Sequence, residues 1–114
     1  MKPISAEDEI LKIGAALNLS EMYKNITCYV AHMAQELGIV LKNTPVSIAV
    51  GALQLVCTTY QLPIDKKEIS SKCEISETTI HKSFTLLSNY KTYLIPTKKL
   101  FNKYMEIKSH PTPA

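Results

Sequence analysis

Side chains able to ligate a metal or attack a substrate are scattered through this chain of 114 residues. Cys28, Cys57 and Cys73 lie too far apart for a zinc knuckle, and their number is odd. His32 and His110 have no partner at ligand spacing, and no carboxylate pair, nucleophile motif or phosphate-cradling loop is present. The expectation is therefore no enzyme: no catalytic residue, no metal site, no cofactor and no small-molecule substrate. The chemistry that remains is non-covalent. From Asp65 the chain reads DKKEISSKCEISETTIHKSF, which is a short Lys-rich helix, a tight turn and a second helix opening at Ser76. Many proteins use this succession, a helix-turn-helix, to present a helix to the major groove of DNA.

Composition permits that reading without requiring it. The net charge is +3 and the sequence pI about 8.7, which is short of a strongly basic nucleic-acid footprint. All 13 basic residues are lysine. Lysine meets phosphate as a point charge and lacks the fork with which arginine grips guanine. The three cysteines fall at apolar or turn positions, as reduced packing residues of an intracellular protein do. No signal peptide is expected, because residues 2–9 are polar and no apolar segment follows them. No apolar run approaches the roughly 18 residues of a membrane span.

The elements that must position the helix-turn-helix read as five core helices. Ser5 caps a first helix to about Leu17, with Ile10, Ile13, Gly14 and Leu17 on one face. Asn18 or Ser20 caps a second, running to Leu37 and stopping at Gly38, with Met22, Ile26, Tyr29, Val30, Met33, Ala34 and Leu37 as its apolar face. After a linker, Ile39 to Asn43, Thr44 caps a third helix whose first turn accepts Pro45. From Val46 to Cys57 this helix is apolar on nearly every side, so it belongs inside a bundle. Its small Ala49, Gly51 and Ala52 allow neighbours to approach closely.

Asp65 caps the fourth helix, to about Lys72; Cys73 to Ile75 make the turn; Ser76 caps the fifth, which runs to about Tyr90 and buries Ile80, Phe84 and Leu87. Thr97 to Ile107 has the spacing of an additional amphipathic helix, and Ser109 to Ala114 reads as frayed. The fold class is all-α. Residues 1–96 form the domain, with the helix-turn-helix at 65–90, and 97–114 form a C-terminal extension, partly helical and then disordered.

Two segments, in order and about twenty residues apart, carry a specific resemblance. Thr44-Pro45-Val46-Ser47-Ile48-Ala49-Val50-Gly51-Ala52-Leu53 is similar to a Ser-Pro-x-Ser-Ile-Ala-Ala-Ala-Ala-Ile helix. Lys67-Glu68-Ile69-Ser70 through Glu74-Ile75-Ser76-Glu77-Thr78-Thr79-Ile80-His81 is similar to a Lys-Glu-Ile-Ala…Gly-Val-Ser-x-Val-Thr-Ile-Arg helix-turn-helix. Both belong to the second cyclin-type repeat of transcription factor IIB, which the chain resembles over its packed length. The resemblance implies a cyclin-box-like bundle that contacts promoter DNA beside the TATA box, binds the TATA-binding protein and helps recruit RNA polymerase. It implies a base-facing edge of Ser76, Thr78, Thr79 and His81 with Lys82 beside it, and phosphate contacts from Lys66 and Lys67. A nuclear location follows, or a cytoplasmic replication site for a viral relative, which the divergence and the all-lysine bias would suit.

Three departures qualify the match. Glu74 stands at the family's turn glycine, where a left-handed backbone would cost on the order of 1 kcal/mol. His81 stands at the base-reading arginine and Thr78 at the valine three residues before it, so the family's G/C preference is not carried over. The zinc ribbon and first repeat of complete members are missing, which marks a fragment of a longer factor or a stripped-down relative.

Most site residues also have a plainer role: Ser76 as a helix cap, Thr78 as a solvent-facing side chain, Thr79 half-buried against the preceding helix, His81 as a surface histidine, Lys66 and Lys67 as a solvated helix start. Glu77 opposes phosphate. Two competing readings therefore stand beside the first: a cyclin-fold protein-interaction module with a vestigial helix-turn-helix, and an unrelated helix-turn-helix repressor, which would dimerise to span two half-sites.

Overall fold

A computed structural model describes residues 6–39 and 45–109. Seven helices occupy them: α1 (Ala6–Ala16), α2 (Glu21–Glu36), α3 (Pro45–Thr59), α4 (Lys66–Cys73), α5 (Glu77–Ser88), α6 (Lys91–Leu94) and α7 (Lys98–Ser109). The expected caps Ser5 and Thr44, most of the linker between α2 and α3, and the tail from His110 lie outside the described residues.

α3 is the centre of the bundle, as its composition requires. Every residue from Ala49 to Cys57 is buried, and α1, α2 and α5 pack around it. The tightest approach is to α5 at Gly51: a Cβ there would lie 2.7 Å from Ser83 Cβ and 3.1 Å from the Ser83 carbonyl carbon. Glycine is the residue that lets the two helices touch at this level. Ile80, Ser83 and Leu87 form the buried stripe of α5, with Phe84 and Leu86 half-buried beside it. Ser83 belongs to that stripe despite its hydroxyl, because only a small side chain fits opposite Gly51.

One stop signal recurs at four helix ends. Asn18, Gly38, Gln61 and Glu74 all have left-handed backbones, with φ between 53° and 69°. Each is followed by an apolar residue whose N–H reaches back to a carbonyl of the last turn: Leu19 to Gly14, Ile39 to Ala34, Leu62 to Cys57 and Ile75 to Ser70. This is the Schellman arrangement, in which the residue after the left-handed one also packs onto the core. Leu19 is buried, and Ile39, Leu62 and Ile75 are partly buried against the core. Asn18 therefore ends α1, and Ser20 caps α2 by accepting from the Tyr23 N–H.

Three expectations are corrected. Met22 and Leu37, placed on the apolar face of α2, are about half exposed at 53% and 49%; Thr27, Cys28 and Ala31 are buried instead. Thr27 can be buried because its hydroxyl donates to the carbonyl of Tyr23, 2.7 Å away on the same helix. The fifth helix stops at Ser88 rather than about Tyr90, and the one-turn α6 follows, carrying the fully buried Leu94 onto α2. The last helix continues to Ser109, past the expected frayed start at that residue. α7 rests on α2, where the rings of Tyr104 and Tyr29 meet in a T-shaped pair, 5.3 Å between centroids.

Candidate nucleic-acid interface

Each half of the helix-turn-helix is fixed at its start by a short polar side chain. Asp65 Oδ1 accepts from the Glu68 N–H at 3.0 Å, and Ser76 Oγ accepts from the Thr79 N–H at 3.2 Å. Between them Glu74 takes up φ 55°, ψ 41°, the left-handed turn for which glycine is the unstrained residue. Its N–H and that of Ile75 both reach the Ser70 carbonyl, and the Ser70 hydroxyl donates to the Ile75 carbonyl. Ser70 thus ties the turn from both directions. Ile69 of α4 and Ile80 of α5 are fully buried and lock the unit to the core.

With Ile80, Ser83 and Leu87 facing inward, α5 turns the edge bearing Thr78, His81, Lys82 and Thr85 to solvent. Thr78, Lys82 and Lys67 are exposed, and their side chains make no hydrogen bond or ion pair among the described residues. Ser76 and Thr79 are committed to the helix start, their hydroxyls 2.9 Å apart. Thr79 is half-buried. Lys66 behaves differently from Lys67. Its ammonium lies 2.9 Å from His81 Nδ1 and 5.9 Å from the centroid of the Phe84 ring, so it leans across the turn onto α5. The Thr85 hydroxyl lies 3.5 Å from the other ring nitrogen of His81. Sequence spacing gives no hint of the Lys66–His81 contact, because its partners are fifteen residues apart. The His81–Thr85 pair, four apart on one helix, was readable in principle.

The electrostatics are balanced. Between residues 65 and 82 four lysines face four carboxylates, Asp65, Glu68, Glu74 and Glu77. Beside Lys67 and Glu77 an open groove of about 530 Å³ runs along the end of α3, past Gln54, Thr58 and Gln61. Among the described residues no set of three His, Cys, Asp or Glu side chains is gathered to hold a metal ion. The thiols are not poised for attack. Burial pushes Cys57 up to about 11, with Glu68 adding to the rise, and burial raises Cys73 to about 11, with Glu9 adding and Lys12 opposing. No helix of the described residues is long and apolar enough to cross a membrane.

Known families bear on this arrangement. Residues 1–90 match the family described as the Transcription factor TFIIB repeat. The chain belongs to that family. It is similar to Transcription initiation factor IIB of Drosophila virilis, 26% identical over 93 residues, which is 82% of this chain and 32% of that protein. The protein of the same name from Drosophila melanogaster is 26% identical over 93 residues, 82% of this chain and 30% of the relative. That of Dictyostelium discoideum is 27% identical over 97 residues, 85% of this chain and 30% of the relative. The chain thus spans about a third of the length of these relatives. All three carry the names of transcription initiation factors, not of enzymes. The all-helical bundle around α3 is a TFIIB-like cyclin repeat, and the chain is an initiation-factor-like cyclin domain.

Proposed function

We propose that this TFIIB repeat contacts promoter DNA beside the TATA box through α5, in company with the TATA-binding protein, and helps recruit RNA polymerase. The observation that carries the reading is the exposed edge of α5. Its inner stripe is fixed in the core while Thr78, His81 and Lys82 face outward at the start of the second helix, where recognition helices meet base edges. Thr78 offers a methyl group to a thymine methyl, and His81 a ring nitrogen to a purine edge. Lys67 of α4 and Lys82 of α5 are the phosphate contacts, and Ser76 and Thr79 hold the start of α5. The residues act as one domain over 1–96, with 97–114 as its extension. The corresponding location is the nucleus, or a cytoplasmic replication site if the gene is viral.

The test is binding to a labelled TATA-containing duplex with its upstream flank, with and without TATA-binding protein, at two salt concentrations. The expected result is salt-sensitive binding that strengthens with the TATA-binding protein and changes sequence preference on Thr78→Ala or His81→Ala. Replacing Lys67 or Lys82 with alanine should weaken binding to every duplex and lower the salt slope by about 1 each. The equal count of lysines and carboxylates between residues 65 and 82 favours one other reading, an interaction module that docks on protein through the same face. Absence of duplex binding with and without TATA-binding protein would select it.

A further inference from the structure

We infer that Lys66 is a positioning residue for His81, fixing which hydrogen-bonding character the histidine turns toward DNA. The inference rests on the promoter-binding reading above and gives its site a specificity. A lysine ammonium has three donors and no acceptor. At 2.9 Å from Nδ1 it donates, so Nδ1 holds a lone pair and the ring proton sits on Nε2. That proton is only loosely engaged, because the Thr85 hydroxyl is 3.5 Å away. Phe84 helps hold the ammonium on this side, 5.9 Å from the ring centroid. Lys66 is accordingly half-buried where Lys67 and Lys82 are exposed.

A neutral histidine with neither nitrogen engaged offers a donor or an acceptor at its outer atom. With Lys66 on Nδ1, His81 offers a donor there. Its partners in the major groove are then acceptors: N7 of either purine, O6 of guanine or O4 of thymine. The amino groups of adenine and cytosine are rejected, since two donors meet.

The experiment pairs a measurement on the free chain with one on DNA. Nitrogen-15 NMR of the His81 ring, at a pH where imidazole is neutral, should show Nε2–H alone in the wild-type chain and in Lys66→Arg. Lys66→Met, which keeps the aliphatic stem, should give a mixture. On DNA, Lys66→Met should relax the preference at the base pair facing His81 by roughly tenfold while leaving the salt slope unchanged. Lys66→Arg should retain that preference. An unchanged tautomer in Lys66→Met would overturn the inference. So would a salt slope lowered by about 1 with sequence preference intact, because Lys66 would then be a phosphate contact. If the wild-type chain binds no duplex, the promoter reading falls and the specificity role with it, while the ring spectra still decide whether Lys66 orients His81.

Discussion

Gly51→Ala should destabilise the domain, although the same change in most helix interiors stabilises it. The added methyl would meet Ser83 Cβ at 2.7 Å, and Leu87 Cδ1 and the Ser83 carbonyl carbon at 3.1 Å. Carbon atoms pack best at about 3.5–4.0 Å, so α5 would have to retreat by close to 1 Å. Two of the three contacts are to Ser83 backbone or Cβ, and no rotamer change relieves them. Overpacking of this kind costs about 1–3 kcal/mol, and the rigid neighbours place this site in the upper half of that range. Helix propensity returns about 1 kcal/mol. The net loss is about 1–2 kcal/mol, or a melting temperature lower by about 4–8 °C for a chain of this size. Circular dichroism during thermal and urea unfolding measures both. Adding Ser83→Gly removes the nearest carbon, and the double variant should recover about 1 kcal/mol relative to additivity. A melting temperature that rises by about 4 °C in Gly51→Ala would refute the close approach, since that is what an open helix site gives.

Glu74→Gly should stabilise the turn by about 0.5–1 kcal/mol, because glycine removes the left-handed strain at φ 55° and returns part of it as chain entropy. Glu74→Ala keeps the strain and should leave the urea midpoint nearly unchanged; equal effects of the two would show that the Glu74 backbone is not strained. Ser76→Ala should cost about 1 kcal/mol of stability through loss of the cap on Thr79, and Ser76→Asp should restore most of it in the same assay. Alkaline stability should fall as pH rises from about 9 to about 11. Burial pushes the Cys57 and Cys73 thiols from the ordinary 9.0 up to about 11 in the folded chain, so over that window the unfolded chain releases protons that the folded chain retains. Unfolding midpoints measured across the range check it, and Cys57→Ala with Cys73→Ala should flatten the decline.

What the sequence made legible was what local pattern encodes. The apolar run of α3, the caps at Ser20, Asp65 and Ser76, and the glycine stop at Gly38 each act within a few residues of their own position. The stop at Asn18 escaped because asparagine also suits the N-cap of the helix that follows, a role that Ser20 fills instead. Met22 and Leu37 fit the helical spacing of α2 and still ended exposed, since periodicity identifies a face and not how far its partners reach along it. α6, one turn long and without a side-chain cap, leaves no pattern to read. At the candidate site the two helices and their outward edge were legible. The union of Lys66 with His81 was not, because the fold and not the spacing brings them together.

The family match ends at residue 90, yet the chain beyond it is sewn into the bundle. Leu94 is wholly buried, Phe101 packs against the core, and Tyr104 forms a T-shaped pair with Tyr29 of α2, where burial raises its phenol above the ordinary range. The matched repeat and the packed surface of the bundle therefore have different borders. A chain trimmed to its inherited repeat would keep every residue of the helix-turn-helix and still leave one side of α2 wet. The length to express for any binding measurement is set by Tyr29 and its cover, not by the extent of the homology.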